Sequence, residues 1–170
     1  MPLPKLIILN IYPPSPEELN EIKELGITWI VADGKNLPFK DKSIDISFSN
    51  SVIEHLGNFK SQGKFAKEII RVSKNFWVQT PDKRFSIEPH LITPFIHWLP
   101  LKLQKLLLKN FTIWGILTKP SNEQINSFLN EVRLLTYKEL KLLFPSALVI
   151  RERFIGLSKS LIVFYRENLN

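Results

Sequence analysis

Small polar residues follow two apolar runs in the first third of the chain, and their side chains could bind a small ligand. The run TWIV leads to Asp33 and Gly34, and the alternating run IDISFS leads to Asn50 and Ser51. In an open parallel sheet, ligands bind in the crevice beyond the carboxyl ends of the strands. A carboxylate, an amide and a hydroxyl at those ends could hydrogen-bond such a ligand. Two local roles stay open: Asp33 and Gly34 also suit a tight turn, and Asn50 and Ser51 also suit a helix cap.

Histidine and glutamate side chains near these runs could move a proton. His55 follows the second run, and Glu88 and His90 lie two residues apart in the segment IEPH. Histidine titrates near neutral pH and can serve as a general base. A surface position for His55 and a polar turn for Glu88 and His90 are the alternatives. Pro94 separates His90 from His97, so a shared helix face is not expected and no metal site is predicted.

Strands and helices alternate along the first part of the chain and would position these residues. The apolar run KLIILNIY has the length of a strand and ends near Asn10. The segment after it predicts a helix, with Ser15 as N-cap, Pro16 at the first position, Glu18 completing a capping box and Gly26 ending the helix. The strand ITWIVADG and the strand SIDISFSN follow, separated by a turn.

The second part of the chain predicts two more helices and three more strands. Apolar residues recur at helical spacing over 59–74, and NFWVQTP is typical of a strand. Near the end, Thr136 and Glu139 form a capping box for a short helix, and ALVIRERF and SLIVFYRE follow as an antiparallel pair that turns at Gly156. The pattern predicts one α/β domain over 1–170, with a mostly parallel sheet and helices on both faces.

Residues 82–135 interrupt this alternation and are too apolar for a linker. We expect a helical insertion that covers the edge of the sheet and forms part of a substrate pocket or lid. Within it, Lys102, Lys105 and Lys109 predict a basic amphipathic helix. That helix could pack its leucines on the sheet, or it could rest on an anionic membrane or receive a lipid-like substrate.

Composition excludes several classes of protein. The chain has no cysteine, so disulfides and thiolate chemistry are excluded, and it has no uninterrupted apolar run of membrane-spanning length. The N-terminal segment lacks a cleavage site typical of a signal peptide, so we expect a cytoplasmic protein, with peripheral membrane association as the alternative. The net charge of +7 could favour anionic partners, but the lysines are scattered and no Arg-aromatic array favours nucleic acid.

One segment carries a resemblance to a known family. The stretch VADGKNLPFKDKSIDISFSNSVIEHLG resembles the class I S-adenosylmethionine-dependent methyltransferases of the type 11 group. The residues that match that group's pattern are Asp33, Gly34, Leu37, Pro38, Phe39, Asp41, Ser43, Ile44 and Asp45. The later stretch FWVQTPDKRFSIEPH is similar to uncharacterised members of the group. The resemblance implies a Rossmann-like methyltransferase sheet.

The same resemblance implies a cofactor and roles for the strand-end residues. The methyl donor would be S-adenosylmethionine, and the acceptor a small molecule or a lipid-like molecule. Asp33 would accept a hydrogen bond from the adenine amino group, and the Gly34 N–H would reach a ring nitrogen. Asn10 would lie at the ribose hydroxyls, and Asn50 and Ser51 beside the methionine part or the incoming nucleophile.

Two departures from the family leave the activity open. Asn10 stands where the family has an acidic residue, and an amide does not accept two hydroxyls as a carboxylate does. The family's first strand and the Gly-rich loop after it have no counterpart here. Either the flanking strands pair directly, or a second polypeptide supplies the strand, or the reading frame is truncated. The chain is accordingly expected to be a methyltransferase of unknown acceptor or, alternatively, a non-catalytic subunit that acts through a partner chain.

Overall fold

The computed structural model of the protein describes residues 5–88, 91 and 93–167. Its strands are β1 (Ile7–Asn10), β2 (Thr28–Val31), β3 (Ile44–Asn50), β4 (Ser73–Pro81), β5 (Ile87–Glu88), β6 (Thr93–Pro94), β7 (Leu148–Phe154) and β8 (Leu157–Tyr165). Its α-helices are α1 (Pro16–Glu24), α2 (Phe59–Val72), α3 (Leu101–Phe111), α4 (Ile113–Thr118), α5 (Asn122–Glu131) and α6 (Tyr137–Leu143). Short 3₁₀ helices span Ile53–Leu56 and Ile96–Trp98.

The strands have the mixed arrangement that the sequence predicts. β1 and β2 pair in parallel, and a four-stranded sheet has the order β3-β4-β8-β7, with β3 parallel to β4 and the other pairs antiparallel. The predicted α/β fold with an antiparallel C-terminal strand pair is confirmed. Among the described residues β1 and β3 are not hydrogen-bonded to each other.

The first and last residues of helix α1 are determined by local side-chain and backbone chemistry. The Ser15 hydroxyl accepts a hydrogen bond from the Glu18 N–H, and the Glu18 carboxylate accepts one from the Ser15 N–H. Pro16 occupies the first turn, and Gly26 has a φ of 63° just after the helix. The capping box, which satisfies two N–H groups that the helix leaves unpaired, was predicted at these residues and is confirmed.

The main core lies on one face of the four-stranded sheet. Phe76 and Val78 of β4 and Val163 of β8 point toward α2 and α6, which supply Phe65, Ile69, Leu140 and neighbouring buried side chains. Alternation along the strands puts these residues on the same side of the sheet. Burial of this face holds α2, and the loop before β3 that packs on it, against the sheet.

The opposite face of the same sheet is open, so the prediction that helices cover both faces is wrong here. Ile46 and Phe48 of β3 are 70% and 71% exposed. Leu148 and Ile150 of β7 are also exposed, and Trp77 packs edge-on against Phe164 between them. A sheet with antiparallel pairs can leave one face to solvent, but that face is then ordinarily polar. We call this apolar surface the open face.

The insertion is helical, as predicted, and has a core of its own. Leu91, Ile96, Leu108 and Ile125 form a separate buried cluster among α3, α5 and the short helix Ile96–Trp98. The two ends of the insertion meet, since Asp82 and Leu135 form a parallel bridge. Strands β5 and β6 form a small hairpin near its start, which the sequence did not predict because each strand is two residues long.

Candidate functional site

The β1–β2 pair brings Asn10 to the end of β2. Asn10 lies opposite Val31, and its carbonyl accepts a hydrogen bond of 2.9 Å from the Ala32 N–H. The Asn10 side chain is exposed, and its Oδ1 accepts from the Tyr12 N–H at 3.3 Å. The residue predicted to lie at the ribose therefore stands at the carboxyl end of its strand, next to the loop that carries Asp33.

Asp33 organises the turn that follows β2. Its Oδ1 accepts a hydrogen bond of 2.9 Å from the Lys35 N–H, and its carbonyl accepts one of 2.8 Å from the Asn36 N–H. The other carboxylate oxygen lies 3.4 Å from the Lys35 ammonium. The turn that was weighed as the alternative role is thus present. The Asp33 side chain remains 41% exposed, so its carboxylate can also accept a hydrogen bond from a ligand.

Gly34 is required by packing against helix α2. A Cβ atom built at this position would lie 3.0 Å from Cδ2 and 3.1 Å from Cε2 of Phe65, a core residue that is 4% exposed. The family resemblance implies instead that the Gly34 N–H reaches a ring nitrogen of the cofactor. The structure puts an aromatic ring on the side where a Cβ would stand, which anchors the loop to the core.

Glu68 and Arg71 of α2 clamp the rest of this loop. The Arg71 guanidinium donates to both carboxylate oxygens of Glu68, to the carbonyls of Leu37 and Phe39, and to Asp41 Oδ1, at 2.7 to 3.1 Å. The Leu37 N–H donates to Glu68 Oε2 at 2.7 Å. The segment LPFKD is therefore held by one ion pair through three backbone groups of two residues, the N–H and carbonyl of Leu37 and the carbonyl of Phe39. Bidentate guanidinium–carboxylate pairs are geometrically specific, so the loop has a defined path.

The clamp changes the titration of both groups. The hydrogen bond from Arg71 is the main reason that the pKa of Glu68 lies below its ordinary value, with burial opposing it and the Leu37 N–H adding to it. The hydrogen bonds to Glu68 and Asp41 raise the pKa of Arg71. Glu68 is consequently ionised at neutral pH, and the clamp is intact there.

Asn50 and Ser51 lie at the carboxyl end of β3, beside Gln79 of β4. Asn50 is paired with Gln79 in the parallel register, and the Ser51 N–H donates to the Gln79 carbonyl at 3.0 Å. The Ser51 hydroxyl donates to Asn50 Oδ1 at 3.3 Å. Ser51 has a φ of 53°, a left-handed conformation that costs a non-glycine residue roughly 1–2 kcal/mol. Such strain is concentrated at functional sites.

The helix cap that was weighed for Asn50 and Ser51 is absent. The 3₁₀ helix that follows begins after Val52, and no side chain caps it. Both polar side chains are exposed instead. The structure therefore leaves Asn50 and Ser51 available to a ligand at the end of β3.

The structure describes the three candidates for proton transfer to different extents. His55 lies on the short helix Ile53–Leu56 and is exposed. Glu88 ends strand β5, but its side chain and all of His90 lie outside the described part of the chain. The proposed catalytic roles of these three residues stay predictions.

Glu54, the neighbour of His55, is a buried carboxylate that sequence reasoning missed. It is fully buried, and its Oε2 accepts a hydrogen bond of 2.9 Å from the hydroxyl of Thr80 in β4. Oε1 has no hydrogen-bond partner among the described residues. Its position could not be read from periodicity, because a one-turn 3₁₀ helix buries the adjacent residues Ile53 and Glu54 together.

Asp82 is a second buried carboxylate at the end of β4. It follows Pro81 directly, and its Oδ1 accepts a hydrogen bond of 2.9 Å from the Arg84 N–H. Its Oδ2 is buried with no hydrogen-bond partner in the described residues. The only signal in the sequence is the position of the aspartate directly after a strand.

A cavity of about 140 Å³ lies within the insertion, and Lys83, soon after β4, is among the residues that line it. Leu91, Leu101 and Phe128 contribute apolar surface to it, and Lys83 and Arg133 contribute positive charge. The Lys83 carbonyl accepts a hydrogen bond of 2.8 Å from the Trp98 indole. The insertion thus forms a cavity of its own, and the expected role of the insertion as part of a substrate pocket or lid stays a prediction.

The sequence matches one known family over part of its length. A family model described as a methyltransferase domain matches residues 11–75. The match includes Asp33, Gly34, Asn50 and Ser51. A search of curated proteins gives no significant match.

Solved structures with the same fold include methyltransferases. The PH0226 protein of Pyrococcus horikoshii OT3 is 18% identical, with a TM-score of 0.53 over 95% of this chain and 71% of that one. A SAM-dependent methyltransferase of Methanosarcina mazei is 15% identical, with a TM-score of 0.52 over 94% of this chain and 80% of that one.

A third solved structure holds ligands. The 1,6-didemethyltoxoflavin-N1-methyltransferase of Burkholderia thailandensis is 10% identical, with a TM-score of 0.53 over 94% of this chain and 59% of that one, and it has 1,6-didemethyltoxoflavin and S-adenosylhomocysteine bound. The family match and the shared fold agree with the resemblance that the strand-end motif carries. The chain shares its fold with these solved methyltransferases, and its residues 11–75 match the methyltransferase domain model.

Proposed function

We propose that the protein is an S-adenosylmethionine-dependent methyltransferase whose cofactor binds at the carboxyl ends of β1, β2 and β3. The observation that carries the proposal is the half-exposed Asp33 carboxylate, held at the end of β2 by a turn that α2 clamps. A fixed carboxylate at this position suits recognition of an amino group on an aromatic ring. Asn10, Asn50 and Ser51 extend the same row of polar strand ends.

The residues present fit the polar parts of the cofactor. Asp33 would accept from the adenine amino group, and Asn10, with an exposed amide, would bind the ribose hydroxyls. Asn50 and Ser51 would bind the amino-acid end. Because Asn10 is neutral and offers one acceptor oxygen, we expect weaker binding than a carboxylate at that position would give.

Catalysis would come mainly from alignment. The cofactor supplies an electrophilic methyl group on a sulfonium. The chain would hold that group in line with a nucleophile of an acceptor seated in the pocket of the insertion. The mixed lining of that pocket, with Phe128 beside Arg133, suits a small molecule or a lipid-like molecule that has both apolar and polar parts. The Burkholderia methyltransferase with a bound small molecule supports this class of acceptor.

Hydrogen exchange in the presence and absence of S-adenosylmethionine tests where the ligand binds. We expect slower exchange in peptides that cover 31–37 and 49–56, and no change in peptides that cover 146–154 on the far edge of the sheet. S-adenosylhomocysteine should give the same pattern. Protection confined to other segments, or none at saturating ligand, would refute the proposed site.

A second candidate function is a subunit that works with a partner chain, and the open face favours it. β3 pairs only with β4 among the described strands, and Ile46 and Phe48 on it expose most of their surface. An unpaired strand edge readily accepts another strand. A partner that added a strand to β3 and covered the open face would complete the sheet and its ligand crevice.

The absence of native cysteines permits a direct test of this second candidate. Phe48→Cys would place a single thiol on the open face, and Ile155→Cys, at a residue that is 85% exposed in the β7–β8 turn, is the matched control. If a partner covers the face, iodoacetamide labels Phe48→Cys more slowly in permeabilised native cells than after purification, whereas the control reacts equally in both. Equal labelling of Phe48→Cys in both settings would exclude the partner.

A further inference from the structure

The insertion exposes many of its large apolar side chains, and its own buried core is small. Large apolar side chains in residues 95–117 lie at the surface, and several of them expose more than half of their area. They are Phe95, Trp98, Leu101, Leu103, Leu106, Phe111, Ile113, Ile116 and Leu117. Contiguous exposed apolar surface of this kind marks an interaction site.

The chain from residue 89 to residue 122 carries no acidic side chain. No Asp or Glu occurs between Glu88 and Glu123, whereas Lys102, Lys105, Lys109 and Lys119 do. The side chains of these lysines are exposed, and no ion pair involves them in the described residues. Their charge is therefore available to an anionic partner.

Helix α3 presents lysine and leucine together on its outer side. Lys102, Leu106 and Lys109 recur at the spacing of one helix face, and Leu106 is 70% exposed. Leu108 is fully buried on the inner side. The alternative that the helix packs its leucines on the sheet does not hold for these two residues, since Leu108 is buried in the insertion's own cluster and Leu106 is exposed.

Helix α4 has its apolar face outward. Ile113, Ile116 and Leu117 lie on one side and are exposed, whereas Trp114 stacks on Phe128 on the inner side. Gly115 brings α4 close to α3, because a Cβ there would lie 1.9 Å from the Leu108 carbonyl oxygen. The two helices therefore form a single unit whose outward leucines and isoleucines have no cover within the described chain.

We propose that the surface of residues 95–119 binds the interface of an anionic lipid bilayer. Exposed leucine and isoleucine side chains would enter the acyl boundary while the lysines contact anionic headgroups, which is how amphipathic helices lie on membranes. Charge complementarity favours a bilayer, since the surface is both apolar and free of acidic residues. No described helix is long and apolar enough to cross the membrane, so the binding is peripheral. The proposal is independent of cofactor binding.

Co-sedimentation with vesicles tests this surface. The full chain should bind vesicles of phosphatidylcholine with about one third phosphatidylglycerol and should bind pure phosphatidylcholine weakly. Each lysine near an anionic bilayer strengthens binding roughly fivefold, so the triple variant Lys102→Glu, Lys105→Glu, Lys109→Glu should bind at least a hundredfold more weakly. Raised salt should weaken binding of the unmodified chain.

Helix α2 provides a matched control. Lys60, Lys64 and Lys67 are exposed and have similar helical spacing, so replacing them with glutamate changes the net charge by the same amount. This control should keep most of the vesicle affinity. The neutral variant Leu106→Gln, Ile116→Gln, Leu117→Gln should weaken binding as well, because it removes the apolar part of the surface. Circular dichroism would verify that each variant is folded.

Three results would overturn the proposal. One is the absence of binding to anionic vesicles by the folded chain. Another is an equal loss in the α3 and α2 charge variants, which would mean attraction by net charge alone. The third is a combination of two observations: the glutamine variant binds vesicles as tightly as the unmodified chain, and the unmodified chain binds RNA as tightly as it binds vesicles. Together they would mean that the surface binds any polyanion.

Discussion

Gly34 lies directly against the ring of Phe65, with a Cβ position only 3.0 Å from Cδ2 of that ring. The contact joins the loop that carries the Asp33 carboxylate to the centre of the core under the four-stranded sheet. The exposed side of the loop and its packing side are thereby separated: the Asp33 side chain is partly exposed, and the backbone at residue 34 packs on the core. The position of Asp33 therefore depends on α2.

Gly34→Ala should destabilise the protein by about 1–3 kcal/mol, because the added methyl overpacks a buried aromatic ring. It should also weaken S-adenosylmethionine binding by displacing Asp33. In the Phe65→Leu background the same substitution should cost less, since the smaller side chain makes room for the methyl group. Urea unfolding of the four proteins in this cycle measures the coupling. Equal costs in both backgrounds would mean that the contact does not constrain the loop.

Acid should release the clamp between Glu68 and Arg71. Since the pKa of Glu68 is lowered in the folded protein, its ionised form contributes stability above its ordinary pKa of 4.5, and this contribution is lost as the pH falls through the lowered value. Glu68→Gln should therefore be less stable than the unmodified chain near neutral pH. The difference should shrink toward zero on acidification.

Urea unfolding from about pH 7 to about pH 3 measures this difference. Glu24→Gln on α1 is the control, since Glu24 is exposed and has no ion pair in the described residues. The difference in the free energy of unfolding between Glu68→Gln and the unmodified chain could instead stay constant over the whole pH range. That result would show that the ionised carboxylate is not what holds the loop.

Ser51→Gly should stabilise the protein by about 1 kcal/mol. Glycine adopts the observed φ of 53° without strain, and this gain exceeds the entropy that a glycine adds to the unfolded chain. Ser146→Gly, at an exposed serine whose φ is not positive, should instead destabilise by a fraction of that amount. Thermal and urea unfolding compare the two. A loss of stability in Ser51→Gly would show that the serine hydroxyl matters more than the backbone strain.

Thr80→Val should cost about 1–3 kcal/mol, because it leaves the buried Glu54 carboxylate without its hydrogen-bond donor. Thr80→Ser keeps the hydroxyl and should cost less. In the Glu54→Gln background the valine substitution should cost less again, since an unpaired amide is easier to bury than an unpaired carboxylate. If Thr80→Val is as stable as Thr80→Ser, the hydrogen bond contributes little.

Most elements of the fold could be predicted because local chemistry determines them. The capping boxes at Ser15 and Thr136 begin helices where expected, and the alternation in IDISFSN gives β3. The open face could not be predicted in the same way. Ile46 and Phe48 have the pattern of residues that pack on a helix, and only the tertiary arrangement leaves them exposed.

The candidate site was predictable only in part, for the same reason. The motif located Asp33 and Gly34, but the contact of Gly34 with Phe65 joins residues far apart in sequence. Glu54 was missed beside His55, because burial in a single 3₁₀ turn follows no periodicity that can be read from one sequence.

The proposal that the Asp33 carboxylate binds S-adenosylmethionine can be tested by isothermal titration. The chain and the variants Asp33→Ala and Asp45→Ala are each titrated with S-adenosylmethionine and with S-adenosylhomocysteine. Asp45 is the matched control, since it is an exposed aspartate at the amino end of β3 and is paired with Lys74. We predict saturable binding that Asp33→Ala weakens at least tenfold, about 1.4 kcal/mol, and that Asp45→Ala leaves unchanged. Unchanged affinity in Asp33→Ala, or no binding by the folded chain up to about millimolar ligand, would contradict it.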